Sequence, residues 1–321
     1  MDYAPLAAKD EELHSPGPEK HWQESWYFNW SDEHQGIFGL TRIGYRFTEK
    51  QIDGLIIALV DGKPDFVYPA VNIPYRGEWS AIKATQGLRA RRLLYRVEEP
   101  MKTWRLSLNG RNAMSLKWEA FTPVFDFHGH NQNLPTNMAG RHFEQSGRVT
   151  GWTRFKNREL KINGYGHRDK SWGVRDWANV EGWNWISAQF GEELAFNATE
   201  GFQDGKVFNN GFVFINGENH PVTQVTIRFT WDRQTHVPAA TRIDIHYGEN
   251  KQLRVEASAL AQFPLVKKGL WIQETPARFV AHTRGTQIKG MGVIEHAYHV
   301  GTLGALSRSP RFLKALAKGM F

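Results

Sequence analysis

The stretch from Gly164 to Trp177, GYGHRDKSWGVRDW, combines acids, bases and aromatic rings within fourteen residues. It holds two Asp, two Arg, one His, one Lys and two Trp, set among glycines. So many charges are unusual in a core strand, and so many tryptophans are unusual in a surface loop. The mixture is typical of a cavity wall on which an acid works beside an apolar ligand.

Asp169 is the candidate proton donor of this stretch. A protonated carboxyl could add a proton to an alkene or a tertiary alcohol. Burial against tryptophan raises the pKa of a carboxyl, whereas Arg168 or Arg175 nearby would lower it. His167 could relay a proton, because the pKa of histidine is ordinarily near neutrality. The alternative is a structural salt bridge between Asp169 and one of the arginines, with Asp169 capping a turn.

Aromatic side chains in and after the stretch are expected to bind the substrate. A carbocation formed by protonation would be stabilised by up to about 2 kcal/mol on each aromatic face in a dry site. The predicted substrate-binding residues are Tyr165, Trp172, Trp177, Trp183 and Trp185, together with Arg175. Trp172 is equally well explained as a core plug. Asp176 is expected to be structural and to pair with Arg175.

The faces on which these residues lie depend on the local structure. In an extended strand, side chains alternate between the two faces. His167, Asp169 and Ser171 would then share one face, and Arg168, Lys170 and Trp172 the other. Glycines at 164, 166 and 173 leave open whether this strand is uninterrupted.

A second cluster comprises His128, His130, His142 and Glu144. Two His at i and i+2 with a carboxylate and a third His could form a non-haem metal site. The asparagines and Pro135 between them indicate a loop without fixed chelating geometry. We therefore predict no metal, and we expect Glu144 to lie in the cavity as a second catalytic carboxyl.

Composition excludes several functions. The 321 residues include no cysteine, which excludes disulfides, iron–sulfur clusters and a cysteine nucleophile and suits a reducing cytoplasm. The N-terminus has no apolar run typical of a signal peptide. The net charge of +7 comes from scattered Lys and Arg without a nucleic-acid-binding module, so we expect no nucleic-acid partner. No phosphate-binding loop, dinucleotide fingerprint or serine-hydrolase elbow is present, and we predict a reaction without a cofactor.

Period-two patterns predict an all-β protein. Residues 104–108 and 114–118 alternate around Asn109-Gly110, which predicts a hairpin. Further strands are expected at 39–47, 55–60, 183–190, 194–199 and 207–215, with Asn216-Gly217 as a turn. Short strands with Gly and Asn turns indicate antiparallel barrels or sandwiches. A barrel of about eight strands can enclose one small ligand.

The chain length allows two such barrels. We predict a flexible N-terminal arm at 1–20, one barrel at 21–155 and a second at 156–321, with the Gly164–Trp177 segment just inside the second. A short helix is expected at Pro310–Met320, where apolar residues fall on one face.

The motif His167-Arg-Asp169-Lys-Ser-Trp172-Gly173 resembles a signature of the carotenoid 1,2-hydratase (hydroxyneurosporene synthase) family. Fungal Diels–Alderase-type cyclases with a similar lipocalin-like fold carry related motifs. The stretches at 24–29 and 141–151 also look like parts of these relatives. The resemblance implies paired lipocalin-like (calycin) barrels, an apolar cavity and a proton-donating Asp169. Lys170 and Ser171 replace a His and an Asn of the hydratase motif, so the resemblance does not define the reaction.

The sequence thus predicts a lyase or isomerase without a cofactor, acting on a terpenoid, steroid or polyketide-like molecule by hydration, dehydration or cyclisation. The alternative is a non-catalytic carrier of an apolar metabolite. Acids inside the cavity would favour an enzyme, and charges confined to its rim would favour a carrier. Contact of the basic tail at 308–321 with a membrane surface is a third reading, but its short apolar face is expected to pack on the barrel.

Overall fold

The computed structural model describes residues 4–129, 138–232, 237–267, 269–283 and 285–301, with Pro310 and Leu313. Its strands form two sheets in which every pairing between described residues is antiparallel. The first sheet contains β1 (Trp22–Asp32), β2 (Ile37–Arg46), β3 (Gln51–Val60), β4 (Lys63–Pro74), β5 (Leu88–Ala90), β6 (Leu93–Glu99), β7 (Thr103–Leu108), β8 (Ala113–Ala120), β9 (Phe125–Asp126), β10 (Arg141–Phe155) and β11 (Arg158–Val174). The second contains β12 (Gly182–Gln189), β13 (Leu194–Gln203), β14 (Lys206–Ile215), β15 (Glu218–Trp231), β16 (Pro238–Tyr247), β17 (Lys251–Ala259), β18 (Phe263–Lys267), β19 (Leu270–Thr283) and β20 (Thr286–His299). Short 3-10 helices lie at Ala8–Glu11 and Trp79–Ala81.

The two sheets are barrels, which confirms the predicted fold class. In the first, the strand order is β4-β3-β2-β1-β11-β10-β8-β7-β6-β5, and β9 pairs with β10. In the second, the order is β17-β16-β15-β14-β13-β12-β20-β19-β18, and pairing of β17 with β19 closes the barrel. The predicted hairpins are present. Asn216 and Gly217 both have positive φ, as a tight two-residue hairpin turn requires.

Each barrel encloses its own apolar core. Alternate residues of β1, namely Trp26, Phe28 and Trp30, fill the first barrel, whereas Tyr27 between them belongs to a cluster outside it. The interior of the second barrel is aliphatic and aromatic, with Ile186, Phe196 and Ile243 among its fully buried residues. The cavity described below is lined from both barrels.

The barrels pack against each other through outward-facing side chains. Leu40, Ile57 and Leu59 of the first barrel form one buried cluster with Trp185 and Val293 of the second. Strands β1, β2 and β3 are therefore covered on both faces, which explains why β1 is buried almost throughout. The contact between the barrels frames the cavity described below.

Glycine is required where β11 crosses β1. A Cβ on Gly164 would overlap the backbone carbonyl oxygen of Ser31, and a Cβ on Gly166 would overlap that of Asn29. These glycines allow a close approach of two strand backbones and leave β11 continuous over 17 residues. The question left open by the sequence is answered: these glycines do not interrupt the strand.

The position of the central segment also differs from the prediction. Residues 164–174 belong to β11 of the first sheet, and the chain enters the second sheet at Gly182. The predicted boundary at 155/156 coincides with the turn between the paired strands β10 and β11. Side-chain periodicity could not show that this turn joins two strands of one sheet. The division into domains at 21–155 and 156–321 itself stays a prediction.

Residues 10–14 of the predicted N-terminal arm are docked on the first barrel rather than loose. Glu11 is fully buried, and its carboxylate binds the guanidinium of Arg168 inside the first barrel, with Nη2 to Oε1 at 2.6 Å. The buried counter-charge is the reason for the error, because the Pro and Gly content of the arm gave no sign of it. The helix predicted at Pro310–Met320 lies, apart from two residues, outside the described part. No helix of the described residues is long and apolar enough to cross a membrane.

Candidate active site

A cavity of about 640 Å³ lies between the barrels. Its walls come from β1 to β4 and β11 on one side and from β12, β13, β18, β19 and β20 on the other. The aromatic part of the lining consists of Tyr27, Phe127, Trp177, Trp183, Trp185 and Phe263. The ionisable part consists of Arg42, Arg46, Asp53, His142, Asp169, Arg175, Lys267, Glu274 and Glu295. This volume suits one small organic molecule.

Asp169 faces this cavity from the middle of β11. Its strand neighbours are Tyr27 on β1 and Glu144 on β10. Arg168 and Lys170 on either side of it point into the first barrel instead, as alternation along a strand requires. Among the described residues none forms a hydrogen bond to the Asp169 carboxyl, which leaves that group available to a ligand.

The surroundings of Asp169 favour its protonated form. Burial raises the pKa of the Asp169 carboxyl, and the negative charge of Glu144 adds to the rise. His142, Arg175 and Arg42 act in the opposite direction without reversing it. The competition foreseen between tryptophan burial and nearby arginines is thus resolved in favour of burial. The predicted salt bridge from Arg168 is excluded, since that guanidinium binds Glu11.

Glu144 is a buried carboxylate that holds two histidines. Its Oε1 accepts hydrogen bonds from His142 Nε2 at 2.8 Å and from Trp185 Nε1 at 2.7 Å. Its Oε2 lies 2.8 Å from His167 Nε2, and His167 Nδ1 lies 3.0 Å from Ser146 Oγ. Burial alone would raise the pKa of Glu144, but the two histidines lower it. Glu144 itself does not line the cavity, but its hydrogen bond orients His142, which does. His167 is fully buried on the other side of Glu144.

Two further acids were missed from the sequence. Glu274 on β19 and Glu295 on β20 are direct strand partners, and both line the cavity. Burial, followed by the negative charge of Glu295, raises the pKa of Glu274 well above its ordinary value. Burial also raises the pKa of Glu295. Trp183 Nε1 donates a hydrogen bond to Glu295 Oε1. A shared proton between the carboxyls is the arrangement that such proximity favours.

A sequence signal for this pair exists but is weak. Each glutamate comes soon after a short apolar run, in LWIQETPAR and GVIEHAYH. An acid among apolar residues on a strand indicates a buried carboxyl, because the apolar face is itself buried. Acids are rarely buried without a partner, so a second polar group is expected beside it. Pairing the two requires the register of β19 against β20, which the sequence did not provide.

Three of the predicted aromatic residues and Arg175 line the cavity, and their role in substrate binding stays a prediction. Trp177, Trp183 and Trp185 line the cavity, and the rings of Trp185 and Tyr27 meet edge to face at 5.9 Å between centroids. Arg175 donates hydrogen bonds to the carbonyl oxygen of Met138 at 2.7 Å and to Ser171 Oγ at 2.6 Å. The sequence predicted that Arg175 pairs with Asp176, but the guanidinium does not bind that carboxylate.

Trp172 and Tyr165 do not line the cavity. Trp172 stacks on His14 at 4.0 Å and lies near the Lys170 ammonium, on the face opposite to Asp169. The reason is the alternation of side chains along a strand. Trp172 is three positions from Asp169, an odd number, so the two side chains lie on opposite faces of β11. The ring of Tyr165 makes an edge contact with that of Phe121, with 6.0 Å between the centroids. Tyr165 lies four residues before Asp169 on β11, outside the cavity lining.

The histidine cluster does not assemble around one point. Among the described residues no group of three or more His, Asp and Glu is placed to hold a metal ion. His142 binds Glu144, and burial lowers the pKa of His128 to about 4. His130 lies outside the described residues.

Comparisons with solved structures agree with the double-barrel fold. An AttH-like protein from Nitrosomonas europaea has a TM-score of 0.64 and 16% identity, over 93% of this chain and 98% of that one. Kievitone hydratase from Nectria haematococca has a TM-score of 0.64 and 12% identity, over 85% and 88%. CghA in complex with Sch210972 has a TM-score of 0.67 and 11% identity, over 88% and 89%. The TM-scores show a shared fold, and at these low identities the likeness shows the fold alone. A specific likeness to carotenoid 1,2-hydratases is not shown.

The sequence matches no curated protein. The profile of a family described as a domain of unknown function, DUF7064, matches residues 7–300 and so spans both barrels. The chain belongs to this family.

Proposed function

We propose that this member of the DUF7064 family is a lyase or isomerase that protonates an apolar small molecule in the cavity between its barrels. The observation that carries the proposal is Asp169: a carboxyl with a raised pKa that faces an aromatic cavity and has no hydrogen-bond partner among the described residues. Glu274 and Glu295 in the same cavity also favour an enzyme over a carrier. The name of one structural neighbour, kievitone hydratase, supports the same reaction class.

In the proposed reaction, the Asp169 O–H bond breaks as a C–H bond forms at one alkene carbon. The neighbouring carbon becomes a carbocation, which Trp185 and Tyr27 would stabilise by up to about 2 kcal/mol per ring. Water then adds through its oxygen, and its released proton returns to the Asp169 carboxylate. The product is an alcohol, with one water added and Asp169 restored.

The Glu274–Glu295 pair would position the attacking water. Both glutamates line the same cavity as Asp169, from the strands of the second barrel. Run in reverse, the same steps dehydrate an alcohol. If an internal alkene attacks the carbocation in place of water, the substrate cyclises and returns its proton to Asp169.

Because the substrate is not identified, the test first has to find it. Purified protein is incubated with a small-molecule extract, and compounds retained by the protein and released products are identified by mass spectrometry. We expect the wild-type protein to change a retained compound by the mass of one water, or to isomerise it at constant mass. Asp169→Asn should retain the same compound and convert it about 10²- to 10⁴-fold more slowly.

Asp176→Asn is the matched control. Asp176 accepts hydrogen bonds from the backbone of Ala178 and the side chain of Asn179 in a turn outside the cavity. This variant should convert the compound at the wild-type rate. Full activity of Asp169→Asn would overturn the proton-donor role. Retention of a compound that the wild-type protein never alters would show a carrier instead.

A further inference from the structure

Three cations in the cavity have no anionic partner in the part of the chain that the structure describes. Arg42, Arg175 and Lys267 line the cavity, and no carboxylate there forms a salt bridge with any of them. Arg175 is held only by the uncharged groups of Met138 and Ser171. Buried charges are normally paired, since an uncompensated one costs several kcal/mol.

The nearby acids do not neutralise this basic cluster. Asp53 lies at the cavity wall, but its carboxylate pairs with Arg46, Nε to Oδ2 at 2.8 Å. Burial raises the pKa of the Glu274, Glu295 and Asp169 carboxyls, and this opposes their ionisation. None of these three carboxyls forms a salt bridge with Arg42, Arg175 or Lys267 in the described part of the chain.

The cations also surround an aromatic surface. Two of the cations lie over the ring of Trp177: Arg175 Cζ is 5.0 Å from the ring centre, and Lys267 Nζ is 4.8 Å from it. Arg42 contributes from the first barrel, whereas Lys267 comes from the end of β18 in the second. A ligand with an apolar body and an anionic end could lay its body along the aromatic lining and place its charge among all three cations.

We propose that Arg42, Arg175 and Lys267 bind the carboxylate of the substrate, so that the substrate is an amphipathic carboxylic acid; this rests on the proposed function in that the occupant of the cavity is its substrate. The planar guanidinium groups match the two oxygens of a carboxylate. A singly charged group also suits a cavity lined by four acids better than a phosphate does, because the phosphate brings more negative charge.

The sheet register gives the spacing of such a substrate. Asp169, Tyr27 and Arg42 are successive strand partners on β11, β1 and β2. Strands two apart are separated by roughly 10 Å. The carboxylate of the substrate and the carbon that receives a proton would therefore be several bonds apart, with the aromatic lining between them.

Burial and mutual repulsion both disfavour the charged forms of these cations. Burial, together with repulsion from Arg42, lowers the pKa of Arg175 to about 10. Burial and the same neighbouring cations lower the pKa of Lys267 well below its ordinary value. A bound carboxylate would oppose both effects.

The test uses two fluorescent probes that differ only in charge, dansylaminoundecanoate and its uncharged primary amide. We expect the wild-type protein to bind the carboxylate probe about 10-fold or more tightly than the amide. Lys267→Met and Arg42→Gln should each weaken carboxylate binding about 10-fold and leave amide binding within about 2-fold. Lys63→Met, the same change at an exposed position outside the cavity, should alter neither.

Two outcomes would overturn the proposal: equal binding of both probes by the wild-type protein, or equal effects of Lys267→Met and Lys63→Met. If Lys267→Met fails to fold, as judged by circular dichroism, Arg42→Gln provides the same comparison. The result is separable from the catalytic proposal, because neither probe needs to react. Asp169→Asn should keep the preference for the carboxylate even if Asp169 proves not to be the proton donor.

Discussion

At the scale of single residues, the cavity sorts its carboxyls by their surroundings. Glu144 is buried but hydrogen-bonded by two histidines and a tryptophan, so the charged form is favoured. Asp169 is buried beside that charge without a hydrogen-bond partner among the described residues, so the neutral form is favoured. Separated pKa values of neighbouring carboxyls are a common basis for separate acid and base roles.

Glu274 provides a stability prediction. Because its pKa is raised in the folded protein, its contribution to stability is fully present below the ordinary value of 4.5 and is lost as the pH rises through the folded pKa. Glu274→Gln removes this loss, so we expect the free energy of unfolding near neutral pH to increase by about 1–3 kcal/mol. The gain should shrink towards pH 4, as measured by urea unfolding across pH.

The control for this change is Glu249→Gln, at an exposed position on a turn. It should alter the free energy of unfolding by no more than about 0.5 kcal/mol at any pH. A Glu274→Gln protein that is less stable than the wild type near neutrality would show that Glu274 is charged and favourably bonded.

Sequence reasoning located Asp169 but not the other acids of the cavity. The Asp169 motif is local, and its aromatic neighbours follow within a few residues. Glu274 and Glu295 become a pair only through the register of two long strands, and Arg42 joins Asp169 only through pairing across β1. Such long-range pairings are not encoded in any one segment.

At the scale of elements, strand β11 separates two kinds of chemistry by alternation. Arg168 and Lys170 face the interior of the first barrel, where Glu11 and Glu24 neutralise them. Asp169 faces the cavity. The period of two was readable from the sequence. The partners of the inward charges were not, because Glu11 lies more than 150 residues away in the chain.

Glu11→Ala tests the docking of the N-terminal segment. The substitution leaves the fully buried Arg168 without its carboxylate, which is expected to lower the free energy of unfolding by about 3–5 kcal/mol. Chemical denaturation monitored by tryptophan fluorescence measures the loss. Glu19→Ala, at an exposed position of the same segment, should change it by less than about 0.5 kcal/mol. Equal effects of the two substitutions would contradict the docked arrangement.

At the scale of the whole molecule, the site exists only where the barrels meet. Asp169 and Arg42 come from the first barrel, and Glu274, Glu295 and Lys267 from the second. Trp185 of β12 joins the two by its hydrogen bond to Glu144 of β10. Strand periodicity and chain length predicted two barrels. The packing that places the cavity between them, rather than inside one, depends on outward-facing apolar residues that resemble ordinary core residues in sequence.

A shared buried interface predicts that the barrels unfold together. Leu59 is 2% exposed and lies in the cluster between them. Leu59→Ala should lower the stability of the whole chain by about 2–5 kcal/mol while preserving a single calorimetric transition. Val207→Ala, at a site that is 62% exposed, is the matched control and should have little effect. Two separate transitions, with only one displaced by Leu59→Ala, would show independent barrels.

The central claim, that Asp169 holds a proton for donation to the substrate, is tested most directly by infrared difference spectroscopy without any substrate. Spectra of the wild-type protein and Asp169→Asn are compared at about pH 6, where an ordinary aspartate is ionised. A proton-donating Asp169 predicts that the variant lacks a carbonyl band of a protonated carboxyl, whereas Asp176→Asn lacks only carboxylate bands. If Asp169→Asn also lacks only carboxylate bands, Asp169 is charged in the cavity and the proton donor must be sought elsewhere.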